Sequence, residues 1–224
     1  MIEASAVNFA YRRGIPVLQD ITCTIEDGEA VALLGHNGSG KTTLSRLFMA
    51  LDHPRSGTIQ VDQVDIAGYE PADLANKVGY VFQNPDLQLL GDTVYEEVAY
   101  GLENRKMPKK ALDEQVREAV EAMGLTPYLQ KYPRSLSFGQ KRRLGVAAAL
   151  ALQPRTLILD EITNGQDEQE KAPYDAVPVP APGRKTFDLD FDYPRHGNCP
   201  AVYHPFPGTP RRAVGLRWQY PGPV

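Results

Sequence analysis

The feature that most constrains the fold is the stretch of residues 35–42, Gly-His-Asn-Gly-Ser-Gly-Lys-Thr. It matches the pattern G-x-x-x-x-G-K-T of a phosphate-binding loop, in which glycines let the backbone curl so that successive N–H groups face one anion. The apolar run at 30–34 predicts the strand that precedes such a loop, and the periodicity of residues 43–50 predicts the helix that follows it. The positive end of the helix dipole adds to the attraction. The sequence therefore predicts a strand, loop and helix that bind phosphate groups.

Two residues of the loop and two acidic residues far along the chain predict a catalytic centre. Lys41 is expected to place a charge beside the β- and γ-phosphates of a nucleotide, and the Thr42 hydroxyl to bind Mg²⁺. Asp160 and Glu161 follow the mostly apolar run at 156–159, which is typical of a parallel strand covered on both faces. Asp160 would hold the metal, and Glu161 would orient or deprotonate the attacking water. Without the loop, the pair could simply be solvated acids at a strand end.

Three further positions are candidates for which a purely structural interpretation stays open. Gln83 follows a strand predicted at 78–82 and could bridge the metal and the water, or could only begin a turn. Tyr11 could offer its ring to adenine, or pack at a sheet edge. Ser137 could cap a helix whose free N–H groups form a second anion site, or cap an ordinary helix with basic surface residues.

Composition bounds the classes of function. Of the 224 residues, 42% are hydrophobic and 23% are charged, which is ordinary for a soluble globular protein. The net charge of −4 argues against a nucleic-acid partner held by a basic surface. Cys23 and Cys199 have no metal-like spacing and suit a reducing compartment. We find neither a signal-peptide pattern nor a membrane-spanning stretch, so any membrane role is expected to pass through a partner.

The composition changes abruptly after Glu170. The segment 171–224 contains 11 of the 19 prolines, and alternate residues of 177–182 are proline, which excludes a central strand there. We therefore predict a domain over 1–170 and a Pro-rich, irregular or frameshifted tail over 171–224.

Periodicity in the first part predicts alternating strands and helices around an α/β core. Thr93 and Glu96 form a capping-box pattern before a helix, and the helix predicted over 109–123 places its apolar residues on one face. A helical insert is expected between about 84 and 152. Strands are predicted at 2–11, 17–25, 29–34, 57–61, 78–82 and 156–159.

In their order along the chain these motifs resemble the nucleotide-binding subunit of an ABC transporter, over residues 1 to about 168. The residues that carry the resemblance are Tyr11, the loop at 35–43, Gln83, the segment 136–140, the acids at 160–161 and Asp167. Within that family, Val-Phe-Gln-Asn-Pro-Asp-Leu-Gln-Leu-Leu at 81–90 and Thr-Val-Tyr-Glu-Glu-Val-Ala-Tyr-Gly at 93–101 are most similar to the energy-coupling-factor group. ATPases of that group drive the import of cobalt, nickel or vitamins.

The resemblance implies a P-loop NTPase core of ABC type with an N-terminal antiparallel β portion and a helical insert. It also implies an ATPase with ATP and Mg²⁺, peripheral to the cytoplasmic face of the cell membrane and bound to an integral membrane transporter. Two such subunits would close head to tail over two ATP molecules. Gln83 and Lys41 would join Glu161 in catalysis, and Thr42, Gln83 and Asp160 would serve the metal. Nucleotide contacts are implied for Tyr11, Gly35, His36, Asn37, Gly38, Ser39, Gly40, Lys41, Thr42, Thr43, Ser137, Gly139 and Gln140.

The sequence also departs from the family pattern. Phe138, Ile162 and Gln166 stand where glycine, proline and leucine are usual. Family members have a further strand between the strand of the phosphate loop and that of Asp160, and it ends in a switch histidine. The alternating residues in the zone 187–196 could form a short strand, and His196 lies near the right distance, but Pro194 and the lack of a preceding amphipathic helix argue against equivalence. We interpret residues 171–224 as out-of-frame translation of the original C-terminal segment, which the alternate reading frames of the coding DNA would test.

Two alternatives to a transporter subunit remain. One is a soluble ABC-class ATPase of translation or DNA repair, although tandem domains and long heptad insertions are both missing from this sequence. The other is a catalytically impaired remnant that still binds ATP.

Overall fold

The computed structural model describes residues 1–27, 30–33, 38–160, 185–188 and 211–212. An antiparallel sheet lies at the N-terminal side, in the strand order β2-β1-β4-β5. Side chains of β1 alternate between buried and more exposed, as expected for a strand with one face on a core. The four strands are β1 (Ile2–Phe9), β2 (Leu18–Ile25), β4 (Ser56–Val61) and β5 (Val64–Asp65).

The second sheet is parallel and has the order β6-β7-β8-β3-β9. The carboxyl ends of parallel strands meet at one edge of a sheet, which is where open α/β sheets bind ligands. The ends of β3, β6 and β7 therefore bring three sequence motifs to the same edge. The strands are β3 (Ala30–Ala32), β6 (Val78–Val81), β7 (Thr156–Leu159), β8 (Lys185–Asp188) and β9 (Arg211–Arg212).

Strand β8 is a short regular element within the Pro-rich segment 171–224. It lies between β7 and β3 and pairs with both, in the place where the resemblance implies a strand. Its four residues contain no proline, so each can offer an N–H group and a carbonyl to its neighbours. Apart from β8 and β9, the segment 171–224 lies outside the described residues, and so does His196. The domain boundary at 170 and the frameshift stay predictions.

The helical insert appears where it is predicted. Its first element is a 3₁₀ turn at Pro85–Leu87, and the capping box of Thr93 and Glu96 is confirmed at the start of α3. The apolar face predicted on α4 is buried with α3 and α5 in one core. No helix among the described residues has the length and apolar character to cross a bilayer. The helices are α1 (Lys41–Phe48), α2 (Pro71–Leu74), α3 (Val94–Asn104), α4 (Lys109–Ala122) and α5 (Phe138–Ala151).

Strand β7 is buried on both of its faces. Leu157 and Leu159 belong to the core of the helical insert, and Ile158 belongs to a second core with α1 and the antiparallel sheet. The alternation of a strand thus divides its side chains between two cores. Because both cores fix the position of β7, they also fix the backbone position of the next residue, Asp160.

Candidate functional site

The end of the phosphate loop places buried polar groups at the start of a helix. Gly38 and Gly40 have φ of +82° and +95°, and α1 begins directly afterwards at Lys41. Ser39 and Lys41 are each only 7% exposed. The Ser39 hydroxyl has no hydrogen-bond partner within the described part of the chain. A buried donor of this kind fits an anion above the helix start, because it would otherwise lose its hydration without compensation. Gly35, His36 and Asn37 lie outside the described residues.

The acid that follows β7 lies beside this loop. Asp160 is 5% exposed, and its Oδ1 accepts a hydrogen bond of 3.4 Å from the Thr42 hydroxyl. The two residues are 118 positions apart in the chain, so the parallel sheet is what joins them. Glu161, predicted as the base, lies outside the described residues.

Sequence reasoning missed Tyr80, which holds the other oxygen of the same carboxylate. Its hydroxyl donates a 2.7 Å hydrogen bond to Asp160 Oδ2. Burial raises the pKa of Tyr80, and the hydrogen bond to Asp160 raises it further, so the phenol stays a donor at neutral pH. The signal available in the sequence was register: a tyrosine one residue before the end of β6 lies at the same sheet edge as the residue after β7.

An open cleft surrounds the loop and gathers most of the predicted residues. Tyr11 stands at its wall, 55% exposed, with its hydroxyl 3.2 Å from Thr43 Oγ1. The exposed Gln83 also contributes to the wall. An exposed ring beside a phosphate site has the chemistry to stack on a base. The residues that line the cleft are Tyr11, Val17, Gly38, Ser39, Gly40, Lys41, Thr42, Thr43 and Gln83.

The segment around Ser137 does not join this cleft. Ser137 caps α5 and forms a capping box with Gln140, in which the Gln140 N–H donates to Ser137 Oγ over 3.3 Å. Ser137 is exposed, and neither it nor Gly139 nor Gln140 is among the lining residues. The serine hydroxyl uses a lone pair for the cap, so its hydrogen can still be donated to an anion.

Two contacts, also missed from sequence, tie the turn after Gln83 to α5. The Gln88 side-chain amide donates to the Gly145 carbonyl over 3.2 Å, and its oxygen accepts from the Phe82 N–H over 3.3 Å. The Lys141 ammonium donates to Asp86 Oδ1 over 2.9 Å. The loop of Gln83 and the helix capped by Ser137 are thus joined at two points.

The oxygen groups of Thr42 and Asp160 fit Mg²⁺. Among the described residues, no three His, Cys, Asp or Glu side chains converge on one point. Mg²⁺ does not need such a cluster beside a nucleotide, because one or two protein oxygens, phosphate oxygens and waters complete its octahedron. The hydroxyl and carboxylate have the right chemistry and lie close enough to share one ion.

A phosphate loop at the carboxyl edge of a parallel sheet, with the acid that follows another strand of that sheet beside it, defines a protein of the P-loop class. The family profile described as "ABC transporter" matches residues 18–164. The chain therefore belongs to the ABC transporter family, and the resemblance and fold predicted from the sequence are confirmed.

Known proteins similar to the chain share most of its length. It is 40% identical over 174 residues to the energy-coupling factor transporter ATP-binding protein of Enterococcus faecalis, covering 77% of this chain and 62% of that protein. The chain spans 26% of the length of one such relative, from Methanosarcina acetivorans, and 65% of another, from Pyrococcus furiosus.

Two solved structures share the fold. The first is cbiO1 of Clostridium perfringens, described as part of the ABC transporter complex cbiONQ, with a TM-score of 0.78 and 33% identity over 85% of this chain and 78% of that one. The second is a dimeric ATP-binding cassette in a post-hydrolysis state bound to ADP and Pi. It has a TM-score of 0.76 and 25% identity, covering 86% of this chain and 88% of that one.

Proposed function

We propose that this chain binds and hydrolyses ATP as the nucleotide-binding subunit of a membrane transporter. The observation that carries the proposal is the meeting of Thr42 and Asp160, whose side-chain oxygens are 3.4 Å apart beside the cleft of the phosphate loop. This pair combines a hydroxyl at the start of α1 with a nearly buried carboxylate, as a Mg²⁺–nucleotide site requires.

The chemistry follows from positioning and charge. Lys41 and the backbone N–H groups at the start of α1 would neutralise the phosphate oxygens, and Ser39 would donate its unpaired hydroxyl. Mg²⁺, when bound, supplies further neutralisation of the phosphates. Glu161 would take the proton of a water in line with the γ-phosphate, and Gln83 would orient that water from the cleft wall.

The position of Ser137 supports a dimer. This exposed cap of α5 lies outside its own chain's cleft, so it is available to an anion held by another copy or a related subunit. A head-to-tail pair would place Ser137 and Gly139 of one subunit against the γ-phosphate bound by Lys41 of the other. The likeness to a dimeric cassette bound to ADP and Pi supports the dimer.

The similarity to an energy-coupling factor ATP-binding protein favours an importer of metal ions or vitamins. The turn after Gln83 exposes Leu87 and Leu90 at 73% and 71%. Apolar side chains at that exposure beside a catalytic loop suit docking of a transmembrane partner. We therefore place the chain at the cytoplasmic face of the membrane as a peripheral subunit. Co-purification with an integral membrane protein supports this placement, and purification without one favours a soluble ATPase.

Two variants test the nucleotide function in the purified chain. Lys41→Ala is expected to weaken ATP binding roughly 10- to 100-fold, because it removes a charge-assisted contact. Lys110→Ala changes an exposed lysine of α4 in the same way and serves as its control. Unchanged affinity of Lys41→Ala in a fluorescent-nucleotide titration contradicts the proposed site.

The second variant, Glu161→Gln, is expected to keep ATP affinity and lower steady-state hydrolysis by about 100-fold or more. An undiminished rate contradicts the role of Glu161 as base. Tight ATP binding without turnover by the unmodified chain would favour a catalytically impaired remnant over an active subunit.

A further inference from the structure

We propose that Tyr80 is a positioning residue for the metal site, and that its hydroxyl orients the Asp160 carboxylate toward Mg²⁺. The role deepens the proposed function and rests on it. Its basis is that the two oxygens of this carboxylate face two different hydroxyl groups. Oδ2 accepts the Tyr80 hydroxyl at 2.7 Å, while Oδ1 lies 3.4 Å from the Thr42 hydroxyl.

The backbone alone does not set this orientation. The Asp160 N–H donates to the Val81 carbonyl over 3.0 Å, which fixes where the residue begins but leaves its side-chain torsions to other contacts. The strong bond from Tyr80 selects one rotation of the carboxylate plane, because hydrogen bonds to a charged acceptor are short and directional. The oxygen without this bond then faces Thr42.

Tyr80 itself is well supported. It belongs to β6, which pairs in parallel register with β7, so Tyr80 lies opposite Ile158. Its ring packs edge to face on Phe82 at 4.9 Å between centroids. The hydroxyl is thus carried by an element whose position is fixed relative to the strand that ends at Asp160.

Loss of the hydroxyl would act on the carboxylate in two opposite ways. The Asp160 oxygen would gain charge density, which favours a metal, and the carboxylate would gain rotational freedom, which disfavours it. Mg²⁺ demands near-ideal octahedral geometry, so the loss of orientation is expected to dominate. Partners of metal ligands typically change metal affinity by about 10- to 100-fold when removed.

The test compares Tyr80→Phe with the unmodified full-length chain. Affinity for a fluorescent ATP analogue is measured in EDTA and across a Mg²⁺ titration. Tyr80→Phe keeps the ring, so affinity in EDTA is expected to stay unchanged. The Mg²⁺ concentration that gives half of the metal-dependent tightening is expected to rise about tenfold.

Tyr95→Phe is the matched control. The Tyr95 hydroxyl also donates to an aspartate, Asp113, but the pair lies on α3 and α4, away from the cleft. This control is expected to leave both the EDTA affinity and the Mg²⁺ dependence unchanged.

Three outcomes overturn the role of Tyr80. If Tyr80→Phe shows the same Mg²⁺ dependence of nucleotide affinity as the unmodified chain, Tyr80 does not position the metal ligand. Equal losses of affinity with and without Mg²⁺ indicate general damage to the site, and a Tyr80→Phe chain that does not fold assigns the hydroxyl to stability. If instead the unmodified chain binds no nucleotide in either buffer, the proposed function itself fails, and the role of Tyr80 fails with it.

Discussion

Gly40 is a position of the phosphate loop at which the structure requires glycine. Its φ of +95° belongs to the left-handed region, where residues with a Cβ are strained. A Cβ there would also lie 2.7 Å from Leu18 Cδ2, a side chain that is fully buried. Two independent requirements, one of the backbone and one of packing, therefore select glycine at this position.

Gly40→Ala is expected to destabilise the protein by about 2–3 kcal/mol, because left-handed strain and a crowded contact add together. ATP affinity should fall as well, since α1 begins at the next residue. Urea denaturation and a nucleotide titration measure the two effects. Gly68→Ala is the control, because nothing lies within 4 Å of a Cβ at that glycine. Equal stability of the two variants would contradict the expectation.

Among single residues, those of the sequence motifs were predictable, and the residues that form hydrogen bonds with them were not. The phosphate loop and Asp160 are recognisable because their chemistry requires particular residue types at particular spacings. Tyr80 and Gln88 act through contacts that only the folded sheet and helices create. A tyrosine in a strand, or a glutamine in a turn, is common enough that its type alone indicates no role.

Helix α5 begins with a charge arrangement that needs compensation. Its first turn contains no acidic residue, and Lys141 brings a positive charge to the positive end of the helix dipole. Asp86, in the 3₁₀ turn that follows Gln83, accepts a hydrogen bond from the Lys141 ammonium at 2.9 Å, and the Lys141 side chain is only 14% exposed. The ion pair therefore stabilises the helix and also attaches it to the loop of Gln83.

A double-mutant cycle with Asp86→Asn and Lys141→Met measures this attachment. The coupling free energy is expected to be about 1 kcal/mol, near the upper end for pairs close to the surface, because one partner is shielded from water. The more exposed i,i+4 pair of Lys109 and Asp113 is the reference, and it is expected to couple more weakly because water screens both of its charges. Denaturation of the variants at low and high salt measures the coupling free energy of each pair. A stronger coupling in the reference pair would contradict the expectation.

Local signals explain why the helices were predictable as elements. Capping boxes and apolar periodicity act within a few residues, so α3, α4 and α5 are found at the expected places. The contacts that join elements span far more sequence. Gln88 and Gly145, for example, are 57 positions apart. Periodicity contains no information about which helix a turn will meet.

The central sheet is the feature that organises the whole molecule, and β8 is its middle strand. This strand pairs with β7 on one side and with β3 on the other. It thereby connects the strand of Asp160 to the strand that leads into the phosphate loop. The sequence left a short strand open in this zone but could not decide its pairing, because a four-residue strand depends mainly on the neighbours with which it pairs.

Thr186→Pro is expected to destabilise the protein by about 3 kcal/mol or more, because it removes an N–H group from a strand paired on both sides. Thr186→Val keeps the backbone donor and the β-branched shape, so it is expected to be nearly neutral. The urea concentrations at the unfolding midpoints of the two variants test this expectation. Similar midpoints would mean that residues 185–188 contribute little to the sheet.

The strand order also determines which parts of the molecule can fold first while the chain is being synthesised. The phosphate loop and Asp160 leave the ribosome before residues 185–188, yet the strands that carry them are neighbours only through β8. A nascent chain can close the antiparallel sheet and the helical insert early, since their contacts come from segments already made. The nucleotide site must wait for β8, which is made after both motifs, and pairing over so long a separation is intrinsically slow.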